Sequence, residues 1–170
     1  MSDTLTRGEQ LEGFLNQVPI VKTLGMHCDI KGDDMVGVLP FQDKLIGNFT
    51  IKALHGGAIG TFLEMTAMAQ LFLVADVERP PRTINITVDY LRQGHAKDLY
   101  ARATVVKLGR RMASVRADGR SAGSFPAGRR RRDQTRVSRT SDRRFDAQVS
   151  LQCSVTQRCI RSGSGTRIWP

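Results

Sequence analysis

The chain has 170 residues, enough for one compact domain with an appendage. Its three cysteines, Cys28, Cys153 and Cys159, form no CxxC pair, which excludes a disulfide framework and a zinc site of ordinary spacing. The net charge of +10 suggests a nucleic-acid or anionic partner, but residues 1–118 hold 14 Lys+Arg against 13 Asp+Glu, whereas 119–170 hold 12 Arg against 3 Asp, so the basicity belongs to the tail.

Residues 8–17, "GEQLEGFLNQ", place Leu11, Phe14 and Leu15 on one side of a short amphipathic helix. "MHCDIKGDDMVGVLP" reads as two short strands about a Lys31–Asp34 turn, and 41–53 as loop. A long apolar helix is expected over 57–75, and the prolines of "RPPR" at 79–82 break the chain after it. "TINITVDYL" (83–91), "LYARATVVKL" (99–108) and "MASVRAD" (112–118) follow as strands, the last two joined at "GRR" (109–111). Helix, hairpin, long helix and meander make an α+β fold with one helix laid on an antiparallel sheet.

The long helix poses the functional question. Between Lys52 and Asp76 its one formally charged side chain is Glu64. At helical spacing, Gly57, Gly60, Thr61, Ala67, Met68 and Leu71 share the face of Glu64. Burial there raises a carboxylate pKa unless donors compensate, and such groups serve as general bases or nucleophiles. The bland alternative is a carboxylate satisfied by a neighbour. "HGG" at 55–57 stands where the helix begins. The first N–H groups of a helix lack internal partners and carry partial positive charge, so uncovered glycines there can polarise a carbonyl. A plain tight turn capped by His55 is again the bland reading. Gly57 and Glu64 are two turns apart, roughly 10 Å along the axis, so one helix does not readily supply both groups to one carbonyl. The segment is long enough to span a bilayer, but Glu64, Gln70 and its small residues argue against that.

"LHGGAIGTFLE", with an acid nine residues after the His, resembles the signature of the PaaI-type hotdog-fold acyl-CoA thioesterases, and "TINITVDYL…DLYARATVVKLGRR", with Tyr90 and a Gly-Arg hairpin, resembles the sheet that follows. The resemblance covers about residues 10–118. It implies a hotdog fold, an antiparallel sheet wrapped round the long helix. It also implies a homodimer or a dimer of dimers (homotetramer) with active sites between subunits, so that the HGG turn and the acid come from different copies. The Gly57 N–H would polarise the thioester carbonyl and His55 would support the turn or the substrate. Glu64 would be base or nucleophile, with Asn48 and Thr83 assisting. Gly56, Thr61, Met68 and Leu71 would line the substrate site, and Lys107, Arg110 and Arg111 would bind coenzyme A phosphates. The expected activity is hydrolysis of a small or aromatic acyl-CoA to free acid and coenzyme A, with no metal or cofactor. The family's dehydratase and hydratase relatives pair His and acid in a different local pattern.

The chain is expected to depart from this family after residue 118. "GRSAGSFPAGRRRRDQTRVSRTSDRR" has few apolar residues and reads as disordered over 119–144, either as a solvated tail or as a C-terminus replaced through a frame shift. The strand on which the family ends is expected to be absent or replaced, with "FDAQVSLQCSV" (145–155) as a candidate strand for the vacant sheet edge. The runner-up function is a non-catalytic acyl-CoA-binding module whose basic tail holds nucleic acid. No signal peptide is visible, no membrane partner is expected, and sparse cysteine favours the cytoplasm.

Overall fold

The computed structural model describes residues 6–31, 34–75, 80–121 and 147–155. Helices α1 (Arg7–Leu15) and α2 (Pro19–Leu24) lead into strands β1 (His27–Lys31) and β2 (Asp34–Leu39). A 3-10 turn (Asp43–Leu45) and the short strands β3 (Ile46–Asn48) and β4 (Ala53–Leu54) precede the long helix α3 (Gly56–Val74). Strands β5 (Arg82–Tyr90), β6 (Leu99–Leu108), β7 (Met112–Arg120) and β8 (Ala147–Ser154) complete the fold. A six-stranded antiparallel sheet in the order β1-β2-β6-β7-β8-β5 wraps α3, as the resemblance implies.

Helix α1 begins at Thr6 with a capping box: Thr6 Oγ1 accepts from the Glu9 N–H, and Glu9 Oε2 accepts from the Thr6 N–H at 2.6 Å. Leu11 and Leu15 face the core, and Phe14 stacks on Phe72 of α3 with ring centroids 5.7 Å apart. Arg7 Nη1 donates to the carbonyls of Leu73 and Ala75, closing the C-terminal end of α3 with a cation, where the helix dipole favours one. Helix α2 carries Pro19 at its start and ends at Gly25 with φ 68, a left-handed cap. Sequence patterning left 19–24 unassigned because a helix of six residues is too short to display a period.

Helix α3 is long and apolar enough to cross a membrane, yet Phe62, Leu63, Ala67, Ala69 and Leu71 are each 0% exposed within the fold. It packs across β2, β6, β7 and β8 on one side and against α1 and α2 on another, and touches β5 only lightly. Its apolar surface is therefore mostly core, apart from the strip turned toward β5 and the exposed Val74 at its end.

Two expectations about the chain's end need correction. Strand β7 does not stop at 118; Gly119 and Arg120 pair with Ala101 and Tyr100. A Cβ on Gly119 would stand 2.9 Å from Leu63 Cδ2, so a small residue lets this strand end lie against α3. The candidate strand within 145–155 forms, and what differs is its place. Ala147–Ser154 is β8, and it lies between β7 and β5, hydrogen-bonded to both, rather than on an edge. Ala147, Val149, Leu151 and Cys153 alternate inward and are 0–1% exposed. Alternation reveals a strand but not its neighbours, so the sequence does not place it inside the sheet. The runs 122–146 and 156–170, and with them most of the stretch read as disordered and the cluster read as nucleic-acid-binding, lie outside the described residues.

Because β8 carries inner-face core residues and holds β5 to the sheet, Leu151→Ala should cost about 2–5 kcal/mol. A chain ending at Ser121 should show no cooperative thermal transition by circular dichroism. A sharp melt from that shorter chain would mean that β8 is dispensable.

Candidate active site

The strip of α3 that faces β5 carries Gly56, Gly60, Glu64 and Met68, and β5 meets it at both ends. At one end Thr83 Oγ1 donates to Glu64 Oε1 at 2.7 Å and lies 3.8 Å from Met68 Sδ. Glu64, Thr83, Thr61 and Met68 are all half-buried. At the other end the Tyr90 hydroxyl donates to the Gly56 carbonyl at 2.7 Å. A Cβ on Gly56 or Gly60 would lie 3.3 Å from atoms of the Tyr90 phenol, so the two glycines admit the ring against the helix.

A β-bulge makes this double contact possible. Thr83 pairs with Cys153, but Asn85 pairs with Gln152, so Ile84 is an extra residue. Beyond it Ile86, Val88 and Tyr90 pair with Leu151, Val149 and Ala147, all inward-facing. Thr83 and Tyr90 thus share a face, although seven residues of strict alternation would set them on opposite ones.

His55 is the N-cap of α3, and its Nδ1 accepts from the Gly57 N–H at 3.0 Å. That bond requires a lone pair on Nδ1, hence an imidazole unprotonated at that nitrogen. The His55 N–H donates to the Leu45 carbonyl at 2.8 Å, which ties the turn to the segment before it. Gly47 of β3 lies against this histidine: a Cβ there would fall 2.7 Å from His55 Cα. Asn48, the next residue, is exposed, and its Oδ1 accepts from the N–H groups of Thr50 and Ile51 at 3.0 and 3.3 Å. Its side chain therefore holds the β3–β4 turn beside His55.

The remaining expected residues divide by position. Leu71 is 0% exposed and belongs to the core. Lys107, Arg110 and Arg111 are exposed at the β6–β7 hairpin. The rows Ala113–Cys153 and Cys153–Thr83 place that hairpin at the Thr83 end of the sheet. Two strand spacings separate them, about 10 Å. The Arg111 carbonyl also accepts the Val155 N–H at 3.0 Å, tying the hairpin to the end of β8.

Sequence reasoning missed Gly47, Cys153 and the role of the Tyr90 hydroxyl. A small residue seven or eight positions before a histidine carries no signal of its own, and Cys153 was read only as part of an alternating run. Burial pushes the Cys153 thiol up to about 11 from an ordinary 9.0, with the Glu64 charge as a second cause. Burial first, then Asp29 and Glu12, pushes Cys28 up to about 12. Among the described residues no His/Cys/Asp/Glu cluster of three or more is arranged to hold a metal ion.

Residues 52–124, from the approach to α3 through the end of β7, match the thioesterase superfamily. This core has the hotdog fold and is similar to the thioesterase superfamily. The medium/long-chain acyl-CoA thioesterase YigI of Escherichia coli is 26% identical over 137 residues, covering 69% of this chain and 88% of that protein. A thioesterase-family protein of Silicibacter pomeroyi superposes with a TM-score of 0.68 at 18% identity, over 89% of this chain and 99% of that one. A phenylacetic acid degradation-related protein of Ralstonia eutropha superposes with a TM-score of 0.62 at 18% identity, over 85% and 98%. The superposed chains share the hotdog fold, and their coverage runs past β7, so the similarity in shape extends beyond the residues the family model matches.

The cysteines make a test of burial near the acid. Thiol reagents attack the thiolate. In the folded protein at pH 8, Cys28 and Cys153 should stay unmodified by mass spectrometry, and both should be labelled in denaturant. Since their folded values lie above 9.0, the unfolded chain releases these protons first. Stability should therefore fall as pH rises from 9 toward 11. Separately, His55→Ala removes the N-cap acceptor and should cost about 1 kcal/mol, read as a lowered Tm by calorimetry.

Proposed function

We propose that this protein hydrolyses an acyl-CoA thioester to the free acid and coenzyme A, with Glu64 as general base and the Gly57 N–H as oxyanion donor. Thioester hydrolysis is the reaction class of the superfamily, and the chain is an enzyme of that class. The observation that carries the assignment of residues is the Thr83–Glu64 hydrogen bond, which fixes one carboxylate oxygen and leaves the other to take a proton. Glu64 would remove a proton from a water whose oxygen adds to the carbonyl carbon. The oxyanion so formed lies at the Gly57 N–H, in the place His55 Nδ1 holds in this structure. Collapse breaks the C–S bond, and the departing thiolate takes up the proton.

Roughly 10 Å of helix axis separates Gly57 from Glu64. We therefore infer a homodimer in which each site joins the Gly57 turn of one copy to Glu64 of the other. The outer edge of β5 supports this reading: among the described residues it has no strand partner, and Ile84, Ile86, Tyr90 and Leu91 beside it are 38–56% exposed. For the acyl group, the activity named for the Escherichia coli relative supports a medium or long aliphatic chain over the small or aromatic group expected from sequence. Half-buried Met68 and Val88 supply apolar lining along the strip. Lys107, Arg110 and Arg111 would meet the coenzyme A phosphates at the Thr83 end of the sheet.

The test is thiol release from a panel running from acetyl-CoA and phenylacetyl-CoA to long-chain acyl-CoAs. Glu64→Gln should lower kcat by about 10²–10⁴ while leaving the melt and the oligomer unchanged. Thr83→Val, which keeps the shape, should lower kcat by about tenfold. Equal rates for parent and Glu64→Gln would remove Glu64 from the mechanism.

A further inference from the structure

We propose that Tyr90 is a positioning residue for the oxyanion donor, acting through a peptide bond; the inference rests on the Gly57 assignment above. The Gly56 carbonyl and the Gly57 N–H are the two ends of one peptide group. Tyr90 donates its hydroxyl proton to the carbonyl end at 2.7 Å. A hydrogen bond accepted at a carbonyl oxygen draws electron density from the amide nitrogen, and the N–H at the other end becomes a stronger donor. The carbonyl oxygen has two lone pairs, so it can take the phenol as well as the helical N–H four residues on. The phenol also braces the turn mechanically. Its atoms stand 3.3 Å from the positions that Cβ atoms would occupy on Gly56 and Gly60, so it lies directly against the first turn of α3.

The same strand steadies the acid, since Thr83 holds Glu64. Strand β5 therefore touches both proposed catalytic groups of its own copy, with one hydroxyl bonded directly to the base and the other bonded through a peptide to the oxyanion donor. The bulge at Ile84 is what allows both hydroxyls to point the same way.

Tyr90→Phe keeps the ring and deletes only the hydroxyl. In the full chain it should lower kcat by about three- to tenfold, with KM within about twofold and the Tm little changed. Its second readout is independent of turnover: the Gly57 amide proton resonance should move upfield, because a weaker donor is less deshielded. Incorporating 3-fluorotyrosine in a Tyr100→Phe background, which leaves Tyr90 as the labelled tyrosine, makes the phenol a stronger donor and should move that resonance downfield. A Gly57 resonance that stays put in both proteins overturns the proposal. So does one that moves while kcat does not. If the parent releases no thiol from any acyl-CoA, the thioesterase reading fails by itself. The Gly57 resonance then still decides the coupling: movement in both directions supports it, and no movement sinks it.

Discussion

A helix as apolar as α3 must be covered on nearly every side, and the residues left uncovered are set by whatever covers the rest. The sheet takes one side through β2, β6, β7 and β8, and α1 and α2 take another. What remains is a strip facing β5 that carries Gly56, Gly60, Glu64 and Met68. The carboxylate thus avoids the full cost of burial in an apolar core, which a single hydroxyl would not offset. It is half-buried and hydrogen-bonded to Thr83, a compromise that suits a group needing both a fixed position and access to water.

Strand β8 sets the geometry of that strip. It is inserted between β7 and β5, so it moves β5 one strand outward from the centre of the sheet. Without it β5 would lack its main hydrogen-bonding partner, and the hydroxyls of Thr83 and Tyr90 would lose their mounting. The strand comes from the part of the chain whose composition differs most from the rest. Its inward residues nevertheless alternate as a buried strand should, and their small or medium volumes fit beneath a helix. Cys153 sits below Thr83 in the same row, where a larger side chain would press on the acid's hydrogen-bond partner.

At the other end of the strip, the HGG turn is held from three directions. Leu45 accepts the His55 N–H, Gly47 admits the histidine against β3, and Tyr90 grips Gly56. A helix N-terminus gives partial positive charge for nothing more than its backbone geometry. Directing that charge at one atom requires a fixed turn, and these contacts fix it. The His55–Gly57 bond satisfies that N–H within the turn itself.

Much of this was legible in the sequence. The length and apolarity of 57–75 pointed to the helix, the lone acid marked a candidate functional face, alternation pointed to β5, β6 and β7, and the HGG turn marked a candidate oxyanion site. The resemblance implies Thr83 at the start of the following strand, and in the structure its hydroxyl bonds Glu64. The alternating run at 145–155 announced a strand. Other features required the tertiary structure. Strand order is a long-range choice among nearly equal pairings, so β8 could not be assigned to the interior of the sheet from its own residues. The bulge at Ile84 shifts parity by one residue, and no local residue marks it, so the shared face of Thr83 and Tyr90 was hidden. Gly47 matters only because another segment approaches it. Sequence by itself determined the chemistry available, one carboxylate and a glycine-rich helix start behind a histidine in an apolar setting, because residue type and local pattern are properties of short stretches. Only the tertiary structure decided which strand faces that chemistry, because register and neighbour are fixed by the packing of the whole core.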